Sequence, residues 1–248
     1  MGSSKNTGRG RGKAGDRKRR SNEASDSRPA RNTPDLPAGR SNGRTMDFGL
    51  LERYDIPVLP YAVAKSLAQA QKAAEKIRFP LALKLISKNA LHKTDSGALA
   101  LNIGNIRHLV SEYGRLMKIA KGDAQASVLV QAYRPGRFEL IVGGRTDSQF
   151  GPVVMLGMGG IYAEVLRDIA IRVCPLDERE ARSMVRSLKS YPILAGARGR
   201  KPVDEAALAR ILMRVSNLME RERPAELDIN PVLARTDGLW AADVRVLK

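Results

Sequence analysis

The chain has 248 residues, 43% of them hydrophobic, and a formal net charge of +17, enough for one substantial core or two small lobes. No apolar run approaches the roughly 20 residues of a membrane-spanning helix, and the N-terminus lacks the apolar core of a signal peptide, so a cytoplasmic location and no membrane partner are expected. The single cysteine, Cys174, excludes an intramolecular disulfide and a cysteine-rich zinc cluster and reads as a small buried apolar side chain.

The charge is unevenly spread. Residues 1–45 hold 12 Lys and Arg against 4 Asp and Glu, which is +8 of the total. This stretch runs from GRGRGK (Gly8 to Lys13) through RKRR (Arg17 to Arg20), has few large apolar residues and predicts a disordered basic tail. Such a tail would bind RNA, DNA or an acidic surface weakly, or would be a solubilising extension, or an over-extended gene start ahead of Met46.

Residues 46–248 alternate helical and strand patterns, which predicts a mixed α/β fold. Ser66 with Gln69 three residues on opens a helix to Ile77, and a strand over Leu81 to Ser87 follows Phe79-Pro80. From Asn105 to Lys121 the residues Ile106, Leu109, Val110, Tyr113, Leu116 and Met117 recur at helical spacing as one apolar face. Strands are predicted over Ser127 to Tyr133, Phe138 to Gly143 and Gly151 to Leu156. Asp177 with Glu180 caps a helix to about Leu188, and Asp204 opens another whose apolar side is Leu208, Ile211, Leu212, Val215, Leu218 and Met219. The chain closes with a hairpin, Glu226 to Ala234 and Leu239 to Val246, with Asp237-Gly238 at its turn.

Three clusters carry candidate chemistry. In LALKLISKNALHKTDSG, Lys84 lies in an apolar strand, where it either meets an anion such as phosphate or snorkels to water. His92 follows in a polar loop, as a phosphoryl acceptor, a proton shuttle or a plain surface residue. In FGPVVMLGMGGIYAEVLRD, Gly157, Gly159 and Gly160 precede the acidic pair Glu164 and Asp168; they suit either backbone contact with phosphate or a tight hairpin. Neither a dinucleotide fingerprint nor a Walker motif is present. In ELDINPV and AADVR, the oxygens of Asp228, Asn230 and Asp243 suit Mg²⁺ or a solvated face, with Asp228 and Asn230 on one side of a strand.

In this order the segments LKLISKNALHKTDSG, GRFELIVGGRTDSQFGPVVMLGMGG, YAEVLRDIAIRVCPL, YPILAGARGRKP and ELDINPV resemble the ATP-grasp domain, or beta subunit, of ADP-forming acetyl-CoA synthetases and their acyl-CoA synthetase relatives. The resemblance runs from about Met46 to Lys248 and omits the tail. It implies an ATP-grasp fold of two α+β lobes, approximately 46–127 and 128–248, enclosing ATP or ADP. Lys84 would contact phosphate, Gln131, Ala132 and Tyr133 would lie at the hinge beside adenine, and Glu139 would help fix the nucleotide together with Asp228. Gly157, Gly159 and Gly160 would form the phosphate-contacting turn, Asn230 and Asp243 would hold Mg²⁺, and His92 would accept the phosphoryl group.

The implied reaction is reversible: acyl-CoA, ADP and phosphate give acid, CoA and ATP through an acyl phosphate and a phosphohistidine. A separate CoA-binding, alpha-type subunit in a hetero-oligomer is expected, since residues 46–248 leave no room for that unit as well. Where relatives read DxGGV, this chain has Asp95-Ser96-Gly97-Ala98-Leu99, and the methyl of Ala98 is expected to crowd a tight backbone site. Other readings are a different ATP-grasp carboxylate ligase and a non-catalytic nucleotide-binding module with a nucleic-acid-binding tail.

Overall fold

The computed structural model of the chain describes residues 44–87, 97–160, 168–199 and 201–248. Residues 1–43 of the expected tail, His92 and Glu164 lie outside them. Arg44 and Thr45, expected in the tail, form a short strand β1 that pairs with Leu247 and Val246 near the chain's end. All described residues belong to one compact unit, Thr33–Lys248.

Helix α1 (Phe48–Arg53) is followed by β2 (Tyr61–Ala64), α2 (Leu67–Ile77), β3 (Leu81–Ile86), β4 (Leu99–Ile103), α3 (Ile106–Ile119) and β5 (Ser127–Ala132). Strands β2, β5, β3 and β4 make an antiparallel four-stranded sheet in that order. Ser66 caps α2 by accepting the Gln69 N–H at 3.3 Å, and the Gln69 side chain reaches back to the Lys65 N–H at 2.8 Å. That helix turns Ala70, Ala73 and Ala74 inward, so small side chains let it lie close to the sheet. Helix α3, capped by Asn105, adds Leu109, Tyr113 and Leu116 to the same core. Ile106 and Val110, expected on that face, are exposed, because the buried stripe is narrow and they fall at its margin.

Leu81, Leu83 and Leu85 of β3 and Val128 and Val130 of β5 meet the helices in this core, each fully buried Leu or Val contributing about 1.5–3 kcal/mol. Strand alternation puts Ala82, Lys84, Ile86, Ser127, Leu129 and Gln131 on the opposite face. Strand β5 stays in this sheet to Ala132, past the lobe break expected after 127, because β2 and β3 pair with it on both sides. Met46 and α1 pack instead into the second core.

The second sheet is built from β6 (Phe138–Asp147), β7 (Gly151–Met158), β8 (Ile169–Val173), β9 (Glu226–Arg235), β10 (Gly238–Ala241) and β11 (Arg245–Leu247). With β1 it has seven strands, in the order β1-β11-β9-β6-β7-β8, and β10 also pairs with β9. Helices α4 (Glu178–Arg186), α5 (Tyr191–Leu194) and α6 (Glu205–Glu222) lie between β8 and β9 in the chain. The box predicted at Asp177 is complete: its carboxylate accepts the Glu180 N–H at 2.6 Å and the Glu180 side chain accepts the Asp177 N–H at 3.0 Å. All six apolar residues predicted for the long helix, α6, are buried. They join Leu140, Val142, Val154 and Leu156 of the sheet in the larger core.

The C-terminal hairpin departs from expectation. Its second strand is split into β10 and β11, both paired with β9, with residues 242–244 between them. Pro231 of β9 has no N–H to give the ladder, and it lies where the split occurs. Among the described residues no helix is long and apolar enough to cross a membrane.

Candidate functional site

Registers in the large sheet bring distant residues onto one face. Gly157 of β7 lies opposite Ile169 on one side and Ile141 on the other. In the next row Ile171, Met155, Gly143 and Asp228 stand side by side across four strands. The alternate residues Leu140, Val142, Val154 and Leu156 are in the helix-covered core, so these rows form the face turned away from the helices. Asp228 and Asn230 alternate with buried Leu227 and Ile229, which puts both on the same open face, as their spacing predicts.

Glu139 stands farther along that face. The Gly159 N–H donates to the Glu139 carbonyl at 2.7 Å, and a Cβ at Gly159 would sit 3.0 Å from the same oxygen. Gly160 follows with a φ of +58°, a left-handed conformation that favours glycine, and a Cβ there would lie 3.4 Å from Glu139 Oε2. The glycine turn and Glu139 are therefore brought together. Trp240, which the sequence reading did not single out, joins the row of Glu139 and Leu233. The Arg134 guanidinium lies over its ring at 5.9 Å. A lone tryptophan two residues beyond an Asp-Gly turn was the available signal.

The helix-free face of the small sheet supplies the other polar groups. Lys84 is only 7% exposed, and its Nζ donates to the Ala242 carbonyl, which settles the snorkelling alternative against it. The Ala242 N–H in turn donates to the Pro231 carbonyl at 2.9 Å. Ala242 thus ties the Lys84 amine to the residue before Asp243 and the residue after Asn230.

Gln131 is 1% exposed, and among the described residues its Nε2 has no hydrogen-bond partner. The N–H groups of Ala132 and Tyr133 donate to Pro60 at 2.8 Å and Pro80 at 2.9 Å. At the predicted hinge the main-chain donors of Ala132 and Tyr133 are thereby engaged.

Three other residues read from the sequence lie in the structural framework. Asp168 accepts from the N–H groups of Lys189 at 2.9 Å and Ser190 at 2.7 Å, and from the Ser190 hydroxyl. Burial pushes its pKa up, but these three bonds outweigh it and hold the carboxyl below its ordinary value. Ala98, expected to crowd a backbone site, is fully buried in the small sheet's core. Burial likewise raises the Cys174 thiol above its usual pKa, and the residue packs against the larger core.

The donors fit a Mg²⁺–nucleotide complex. Gln131 offers an orphaned buried N–H, the glycine turn brings backbone close to Glu139, and Asp228, Asn230 and Asp243 present hard oxygens. Among the described residues no group of three or more His, Cys, Asp or Glu is placed to hold a metal by itself.

The fold is two antiparallel sheets, each with helices packed on one face and the predicted polar residues on the other. The ATP-grasp domain family matches residues 43–247, and the chain belongs to it. More particularly, it is similar to the beta subunit of acetate–CoA ligase [ADP-forming] I of Pyrococcus furiosus, at 40% identity over 203 residues, covering 80% of this chain and 88% of that one. It is also 41% identical to acetate–CoA ligase [ADP-forming] I of Archaeoglobus fulgidus over 203 residues, but there the match spans only 30% of the relative's length. Among solved structures, the dinucleotide forming acetyl-coenzyme A synthetase 1 of Ca. Korarchaeum cryptofilum, in complex with coenzyme A, Ca-AMPCP and HgCl⁺, superposes with a TM-score of 0.77 at 35% identity. That match covers 83% of this chain and 93% of that one.

Proposed function

We propose that this chain is the nucleotide-binding subunit of an ADP-forming acyl-CoA synthetase and moves a phosphoryl group between His92 and ADP. The observation that carries this reading is the seating of the Lys84 amine on Ala242, which precedes Asp243 and bonds to Pro231, the residue after Asn230. A buried cation and hard oxygens in one place suit the polyphosphate of a nucleotide, whose transfer chemistry depends mainly on positioning and charge stabilisation. Lys84 would face phosphate, Gln131, Ala132 and Tyr133 would border the base, and Glu139, Asp228 and the turn of Gly157, Gly159 and Gly160 would fix the nucleotide. Asn230 and Asp243 would hold Mg²⁺, which when bound neutralises charge on the phosphates.

His92 lies outside the described residues; its assignment rests on the HKTD segment that contains it. In the net reaction acyl-CoA, ADP and phosphate give acid, CoA and ATP. The acyl and CoA chemistry belongs to a separate CoA-binding subunit. The length relation supports this: the chain matches most of a relative named as a beta subunit and under a third of a longer relative named as the ligase.

Mixing the chain with its CoA-binding partner, acetyl-CoA, ADP, phosphate and Mg²⁺ tests the reading. ATP should form with both polypeptides and with neither alone, and His92→Ala should abolish synthesis while leaving ADP affinity nearly unchanged. Undiminished ATP synthesis by the His92→Ala complex would refute the carrier role.

A further inference from the structure

The open face of the large sheet becomes apolar at its β8 edge. Ile169, Ile171 and Val173 alternate with Ala170, which is buried in the core; the three are 56%, 56% and 51% exposed. An edge strand with one face in solvent ordinarily carries polar or charged side chains there, which also discourage sheet-to-sheet association. Here three β-branched apolar residues stand in line, and the register continues them inward: Ile171 lies opposite Met155, and Val173 opposite Val153. Exposed Phe150 stands at the turn that leads into β7. Contiguous exposed apolar surface of this kind marks an interaction site.

The band is also continuous with the candidate site. A shallow hollow of about 880 Å³ has Ile171, Met155 and Val153 on one side and Asp228 and Asn230 on the other. A protein that receives a phosphoryl group from this site has to stand at the site's open side. Of the described surface there, the β8 band is the part whose desolvation is favourable. A nucleic acid would call for a row of lysines and arginines instead.

We propose that the band formed by Ile171, Val173 and Met155 is the docking surface for the CoA-binding subunit, seating that partner over the Asp228–Asn230 end of the site. This rests on the proposed function. It adds to it the place where the partner binds and the kind of surface the partner must offer: an apolar patch complementary to an exposed strand face, with transfer occurring at its margin.

Binding of the co-expressed CoA-binding subunit from the same genome, measured by calorimetry, tests this on the full chain. Ile171→Asp should weaken that binding by roughly 30-fold or more, as loss of a central interface anchor does. Val173→Asp, farther from the site, should weaken it as well. ADP affinity and melting temperature are measured on Val173→Asp, which lies outside the hollow of Asp228 and Asn230, and the expected result is that neither property moves, which separates lost docking from lost folding. Unchanged partner affinity in both variants would overturn the docking surface while leaving the proposed function standing. The same would follow if light scattering showed the wild-type chain to be a homodimer that Ile171→Asp dissociates while the partner still binds. No binding of the partner by the wild-type chain would overturn the proposed function, and this inference with it.

Discussion

The two sheets hold their polar groups under opposite conditions. In the small sheet Lys84 and Gln131 are buried in apolar strands, at 7% and 1% exposure. In the large sheet Asn230 and Glu139 stand on an exposed face, and Asp228 is partly exposed beside them. A buried polar group has to be partnered inside the protein or by a ligand, whereas an exposed one is partnered by water until a ligand arrives. On the proposed assignment, the small sheet would couple stability to ligand binding and the large sheet would keep the two apart.

Lys84→Ala should break this comparison most severely. It removes a charged donor from the buried Ala242 carbonyl, a loss of about 1.5–3 kcal/mol in stability. It should also lower ADP affinity by at least about tenfold, because the missing cation would face phosphate. Chemical denaturation and equilibrium dialysis read the two effects, and a variant with parental ADP affinity would remove Lys84 from the site.

Gln131→Leu should separate the two properties in the opposite sense. Replacing an amide whose N–H has no acceptor with an apolar side chain of similar size should leave stability unchanged or raise it by about 1 kcal/mol, while ADP binding weakens by about tenfold. A clear fall in melting temperature with unaltered ADP binding would show that the amide serves the fold alone.

On the large sheet, Asn230→Ala should change stability by no more than about 0.5 kcal/mol, as exposed substitutions usually do. Its effect should appear as a higher Mg²⁺ concentration needed for nucleotide binding, read by titrating Mg²⁺ at fixed ADP.

The smallest effect expected is a pH dependence away from the site. The folded-state pKa of Asp168 is held below its unfolded value, so its contribution to stability is fully present above about pH 4 and is lost as pH falls through the depressed value. Melting temperatures of the parent and Asp168→Asn should differ most near neutrality and converge in acid.

Local signals were legible in the sequence. The caps at Ser66, Asp177 and Asp204 and the apolar face of α6 are set by residues within a few positions of one another, and the structure realises each. Strand β4 was missed because it is short and contains Asn102 at a φ of +56°, which breaks the alternation that marks a strand. The division of the last strand into β10 and β11 depends on Pro231 across the ladder, and the exposure of Ile106 and Val110 depends on what the sheet leaves uncovered.

The candidate site divides in the same way. Alternation alone places Asp228 and Asn230 together. The junction of Lys84 with Ala242 joins positions 158 residues apart, and the row of Ile171, Met155, Gly143 and Asp228 depends on three registers at once. Neither follows from spacing, since a strand's partners are chosen by the whole fold.

The central claim is that the chain carries a phosphoryl group on His92. Its most direct measurement is incubation of the chain with γ-³²P-ATP and Mg²⁺, with and without the CoA-binding subunit, followed by an acid-lability test of the protein-bound label. Acid-labile label that is absent from His92→Ala is expected. Protein that binds ATP, is supplied with its partner and still takes up no label would contradict the claim.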